Sequence, residues 1–327
     1  MTTALSMTAS NPVEPLRTGD APLTLTEVAW TAAQAAHQAS VDTWLLPHRQ
    51  RAERGEKHPV MDFLFTYYSF RANWVRRWHP GIGVTLLGAG AQAFLTRSHY
   101  SEYDGGFRVD ATKLSPQRID AIRWIIQILS LTGERPGFYG CHGLHEWAMV
   151  YGSDQQPVRH ASVPLRLPGA AIDALVRERG VRCSHFDAFR HFAPAAQPLN
   201  RLQLTRDGSP QHEQPGCLHA NMDLYKWAFK LTPFTPSDLL ADAFRLAVAI
   251  REIDMRASPY DLSAFGYAPI QIETEAGRAE YEQHQRDFTA RARPIRDRLI
   301  TVGHAILAAA TEDRPGSPLG PPPPAAA

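Results

Sequence analysis

The sequence predicts an α+β fold: a single, predominantly helical domain with a small central sheet. Three observations carry this expectation. Apolar residues recur at helical spacing in several long stretches, most clearly Ile119, Ile122, Ile126 and Leu129 in SPQRIDAIRWIIQILSLTG. Short strand-like runs, GVTLL and VPLRLP, sit between such stretches. The 44% hydrophobic content of 327 residues suffices for a sizeable buried core.

The polar, Pro-bearing segment 1–22 and the Pro-rich tail 311–327 are expected to be disordered, leaving 23–310 as the globular domain. Thr26 is placed to cap a helix through EVAWTAAQAAHQASVDTWLL, with Val28, Ala32, Ala35, Ala39 and Trp44 as its packing stripe and Pro47 as its end or kink. A second helix is expected across PVMDFLFTYYSFRANWVRRW, closed by His79-Pro80-Gly81. A short strand and Gly turn follow in GVTLLGAGAQAFL. Ser115 with Pro116 caps the next helix. The middle of the chain reads as alternating strand (VPLRLP), helix (GAAIDALVRERG) and period-two segment (VRCSHFDAFRHF), which places the sheet there. Two long helices end the domain. The first is capped by Thr235 or Ser237, and the second runs from about Glu273 to Ala310 with a break expected at Pro294.

With 34 basic and 33 acidic residues the formal charge is +1, so no global positive field draws the chain to nucleic acid. Any such binding needs a local patch. Three cysteines, odd in number and far apart, suit a reducing compartment. No signal-peptide pattern and no apolar run of roughly 18–20 residues is visible, so a cytoplasmic, non-membrane protein is expected.

Four constellations carry candidate chemistry. In GFYGCHGLHEWAMVYG, a helix starting after Gly140 would put His142, His145 and Glu146 on one face beside Cys141. In VRCSHFDAFRHF, an extended chain would put Cys183, His185 and Asp187 on one face, where an imidazole and a carboxylate can form a general-base pair. In CLHANMDLYKWAFKL, His219 and Asp223 fall at i and i+4, with Asn221 and Lys226 close by. Each cysteine has a histidine within two residues, so Cys141, His142, His145, His185 and His219 are candidate ligands of zinc or iron. The competing reading of all three is a satisfied polar core. The fourth is HPVMDFLFTYYSFRANWVRRWHPG, where Tyr67, Tyr68, Trp74 and Trp78 interleave with Arg71, Arg76, Arg77 and His79. That mixture suits a flat ring beside a phosphate, or an aromatic core stripe with a basic outer side. No P-loop, Gly-x-Gly-x-x-Gly, Gly-x-Ser-x-Gly or His-Glu-x-x-His motif is present.

The strings HPVMDFLFTYYSFRANWVRRWHPG, GFYGCHGLHEWAMVYG, SHFDAFRHFAPAAQPLN, EQPGCLHANMDLYKWAFKL and IREIDMRASPYDL together resemble a bacterial protein family with plant relatives. Its members commonly carry the label 3-methyladenine DNA glycosylase. The resemblance spans about 56 to 300. It implies hydrolysis of the N-glycosidic bond of alkylated purines in DNA, with a flipped base stacked on the aromatics. The arginines would then hold phosphates, with Lys226 and Asn221 nearby, and Asp187, Glu146 or Asp223 would be the carboxylate, with His185 as its partner. Two alternatives stand beside it: a metal-dependent His/carboxylate enzyme acting on a small molecule, and a non-enzymatic binding protein.

Overall fold

The computed structural model describes residues 23–152 and 162–312. In chain order the elements are β1 (Leu23–Leu25), α1 (Glu27–Glu53), α2 (Phe63–Tyr67), α3 (Ala72–Val75), β2 (Val84–Leu86), β3 (Tyr100–Tyr103), β4 (Gly106–Val109) and α4 (Pro116–Glu134). They continue with α5 (Leu144–Met149), α6 (Gly169–Arg179), α7 (Phe186–Phe189), α8 (Ser209–His212), α9 (Leu218–Lys230), α10 (Ser237–Arg256) and α11 (Glu275–Glu312). The architecture is α+β and mainly helical. The segments expected to be disordered lie outside the described residues, except that 311 and 312 continue α11.

The sheet has four strands in the order β1-β2-β4-β3, with β1 parallel to β2 and the other pairs antiparallel. It is made by residues 23–109 and not by the middle of the chain. Asp104 and Gly105, both at positive φ, form the two-residue turn that joins β3 to β4. The middle segments make only isolated bridges, Leu165 with Tyr260 and Val181 with Asn200. At Cys183 the amide and carbonyl are both bonded by the Asn200 side chain, which does the work of a neighbouring strand for one residue. The chain then turns helical at Phe186.

Five further expectations are corrected. The packing face of α1 is Trp30, His37, Val41 and Leu45, whereas Val28 is 81% exposed; the bulky residues, not the alanines, meet the core. Helix α1 continues through Pro47 to Glu53, because Val41 and Leu45 anchor the turns before it and Arg51 and His48 bind Asp62 after it. The long aromatic helix is two short ones, interrupted where Ser69 takes φ 56°. Helix α10 begins after Pro236 without a side-chain cap, and Ser237 instead accepts from the His79 amide. Helix α11 runs unbroken through Pro294. The Thr26 and Ser115 caps form as expected.

At the centre α9 packs against α10 and α11, and α11 against α4. Eleven of its thirteen residues are buried. A helix buried all round cannot leave His219, Asn221 or Asp223 to water, so each must find a partner inside the protein. Among the described residues, no helix is long and apolar enough to cross a membrane.

One buried histidine sets an acid response. The ring of His79 shares a 3.0 Å hydrogen bond with the Tyr100 hydroxyl, and burial pushes its pKa down to about 3. The unfolded chain therefore takes up a proton below about pH 6.5 that the folded chain refuses. Stability is full above that pH and is lost as the pH falls towards 3, by up to about 1.4 kcal/mol per unit. Urea unfolding at pH 7 and pH 5 is expected to show a smaller loss for His79→Gln than for the unsubstituted chain.

Candidate metal centre

The approach to α5 is a reversal made by two consecutive left-handed residues, His142 (φ 47°) and Gly143 (φ 73°). A Cβ at Gly143 would lie 3.3 Å from the Tyr281 ring and 3.4 Å from Ala257, so this turn needs glycine both for its backbone and for its neighbours. The reversal takes His142 out of the helix. It is half-buried, within the field of Glu282, Arg278, Arg182 and Arg179, and the shared face expected for His142, His145 and Glu146 does not form.

His145 and Glu146 instead enter the core side by side and meet α10. His145 Nε2 lies 2.8 Å from Asp254 Oδ1. Arg251 Nη1 donates to Glu146 Oε1 at 2.8 Å and to Asp254 Oδ2 at 3.0 Å. The Arg251 guanidinium sits 3.6 Å from the Phe63 ring centroid. His145 Nδ1 faces Cys141 Sγ at 3.6 Å. From α9, the His219 ring lies edge-on to His145 (centroids 4.5 Å) and stacks on His185 (5.5 Å). Donor atoms of His145, His219 and Asp254 all fall within 4.8 Å of one another.

A second group, His185, Asp187 and Asp223, meets the same distance criterion on the other side of His219. His185 Nδ1 lies 3.1 Å from Glu213 Oε1 and its Nε2 3.6 Å from Asp223 Oδ2, neither as an aligned hydrogen bond. Tyr68 donates to Asp223 Oδ1 at 2.7 Å. Lys226 bridges Asp223 and Asp187, lying 3.2 Å from Asp187 Oδ2. His185 and Asp187 thus converge as expected, through a helix start rather than an alternating strand.

Electrostatics separate the two groups. Burial opposes a charge on His145, but the Asp254 carboxylate overcomes it and raises its pKa well above the usual imidazole value. Burial, with the positive His145 beside it, drives His219 well below that value, so His219 is a neutral imidazole. Burial disfavours charge on Asp187 too, yet Lys226 holds it down at about 2. In the second group a protein cation already joins both carboxylates. The first offers the neutral imidazole of His219 beside His145 and Asp254, which share a proton at 2.8 Å that a bound cation would displace, while Arg251 holds the other oxygen of Asp254 as outer partners of metal ligands do.

Across the cluster, Glu146, Glu213, Asp223 and Asp254 are buried and Asp187 is partly so. They face four cations: Arg251, Lys226, Arg296 and, on Asp187, Arg190. The one remaining negative charge is met by a proton on histidine or by a divalent cation.

The remaining expected site residues are placed elsewhere. Asn221 spends its amide on the Pro215 carbonyl and its oxygen on Arg296, so it fixes α9 to α11. The stacking platform is also corrected. Tyr68, Trp78 and His79 are buried and Tyr67 packs on Phe63. Arg76 is held by Asp42, and only Trp74, Arg77 and Arg71 remain at the surface. These rings pack into the core because α2 roofs the polar cluster, with Phe63 over Arg251 and Tyr68 on Asp223. Glu213, Arg251, Asp254 and Arg296 are the site residues that sequence reasoning missed. For Arg251 and Asp254 a signal existed: they continue the apolar stripe Leu240, Phe244, Ala247 on α10, and a charge at a core position has to be paired. Comparison of the chain with protein-family models, curated proteins and solved structures finds no match.

Proposed function

We propose that the protein is a metal-dependent enzyme acting on a small molecule, with His145, His219 and Asp254 as ligands of a divalent transition metal. The observation that carries this reading is the convergence of two imidazoles and a carboxylate from α5, α9 and α10 within 4.8 Å in the buried core. This donor set takes zinc or ferrous iron, and either would supply Lewis-acid chemistry when bound. Arg251 orients Asp254 and also neutralises Glu146. His185, between Glu213 and Asp223, is placed to hold or pass a proton, since both carboxylates raise its pKa against the effect of burial. Tyr68 and Lys226 hold the Asp223 carboxylate in register with His185.

N-glycosidic hydrolysis in alkylated DNA would call on the same carboxylates, Asp187, Glu146 and Asp223. It also calls for an exposed aromatic platform, and of Tyr67, Tyr68, Trp74 and Trp78 only Trp74 is exposed. The small-molecule reading is therefore preferred, and release of base from alkylated duplex DNA is the assay that separates the two. Metal removal tests the reading itself. Dialysis against 1,10-phenanthroline is expected to lower Tm by roughly 5–10 °C, and one equivalent of zinc or ferrous iron to restore it. A Tm indifferent to both treatments would contradict a bound metal.

A further inference from the structure

A cavity of about 310 Å³ opens beside this cluster, at the lower end of the range for small-molecule sites. Its inner wall includes Ser184 and Gln214, the immediate chain neighbours of His185 and Glu213. Around it stand Arg135, Arg182 and Arg201, and among the described residues no carboxylate lines it. Three arginines lining one small cavity, with no carboxylate among the lining residues, give a local positive charge of the kind the overall composition lacks.

These arginines are not equivalent. Arg135 is fixed by the Pro210 and Glu213 carbonyls, at 2.5 and 2.7 Å, so it is a rigid part of the wall. Arg182 and Arg201 make no ion pair and no side-chain hydrogen bond among the described residues. Unpaired guanidiniums converging on a cavity recognise planar or tetrahedral oxyanions. The same cavity exposes two large apolar side chains, Phe138 (39%) and Leu202 (36%), which a ligand with an apolar body would cover.

We infer that this cavity is the subsite that selects the substrate, and that it takes a small organic molecule whose apolar body ends in a carboxylate or phosphate. The anion is held by Arg182 and Arg201, the body rests on Phe138 and Leu202, and the far end points past Ser184 and Gln214 towards His185. The assignment of this ligand as substrate rests on the metal-enzyme reading above, while the anion specificity of the cavity stands on its own residues.

The test is calorimetric titration of the full chain, as purified with its metal, with phenyl phosphate, phenylacetate and the neutral benzyl alcohol. At least one of the two anions is expected to bind, and benzyl alcohol at least tenfold more weakly. The variant carrying Arg182→Ala and Arg201→Ala is expected to lose tenfold or more in anion affinity with unchanged metal content and melting temperature, and Arg201→Lys to recover part of it. Binding of neither anion at millimolar concentration, or binding that ignores the arginine changes, would overturn the inference. His219→Ala measured alongside separates the two ideas. If anion binding persists while the parent chain and this variant hold the same trace of metal, the metal centre is wrong and the cavity assignment stands. If metal is bound and lost on substitution but the anions do not bind, the cavity assignment is wrong and the metal centre stands.

Discussion

Arg251→Met is expected to destabilise the fold by about 3–5 kcal/mol, the penalty for removing one partner of a fully buried ion pair. Arg251 is completely buried and its Nη1 serves both Glu146 and Asp254, so its loss strands Glu146 in the core and leaves Asp254 with His145 alone. It also lies over the Phe63 ring, and Met can keep that packing, which makes the change a test of charge more than of volume. Adding Glu146→Gln to Arg251→Met should recover part of the loss, because one stranded charge is then gone. Urea denaturation of the two variants and the parent measures both numbers. Equal stability of Arg251→Met and the parent would mean that the cluster carries no net charge for Arg251 to balance.

Lys226→Met is expected to cost about as much and to reverse the pH response of the second group. In the parent chain Lys226 holds the Asp187 pKa at about 2. A carboxyl with a depressed folded value contributes stability above its unfolded value near 3.8, and this is lost as the pH falls through about 2. Without Lys226, Asp187 keeps only the part-exposed Arg190 and loses the cation it shares with Asp223, and burial and the repulsion of the two carboxylates push the Asp187 value up. The folded value of Asp187 then lies above the unfolded one, so the variant is weakest at neutral pH and regains stability as the pH falls and this carboxyl takes up a proton. Thermal unfolding from pH 7 to pH 5 reads the sign directly. The variant's deficit relative to the parent should shrink across that interval. A deficit that is constant would place the effect in lost packing against Trp227, which Lys226 approaches at 4.3 Å.

How much of this was legible before the structure follows from what kind of signal each element has. Helix α4 announces itself locally: Ser115 caps it by accepting from the Arg118 amide, Pro116 needs no hydrogen bond at the first position, and the isoleucines repeat at 3.6. His219 and Asp223 could be placed on one helix face for the same reason. Their partners could not, since His145, His185, Glu213 and Asp254 come from four other stretches of the chain and only the packing of α9 against α10 joins them. Arg251 and Asp254 were readable as charges at core positions. Glu213 follows a four-residue helix in an irregular stretch and has no periodicity to mark it.

The misreadings share a cause. Period-two character at VRCSHFDAFRHF and helical character across residues 59–78 are local preferences, and each was overridden by a single feature. At Cys183 the Asn200 side chain satisfies the backbone without a strand, and at Ser69 a left-handed residue breaks the helix. The same local view placed His142 on a helix that starts two residues later. The stretch quoted as rich in stacking residues is rich for another reason: α2 has to cover buried charges, and aromatic rings do so while accepting a cation on one face.

The most direct test of the metal centre is the metal content of the full chain, purified without chelators or a histidine tag, beside that of His219→Ala. The geometry of His145, His219 and Asp254 predicts about one equivalent of zinc or iron per chain. It also predicts its loss on substitution of His219, with the secondary structure retained. Only a trace of metal in both proteins, or a full equivalent that survives the loss of His219, would contradict the assignment.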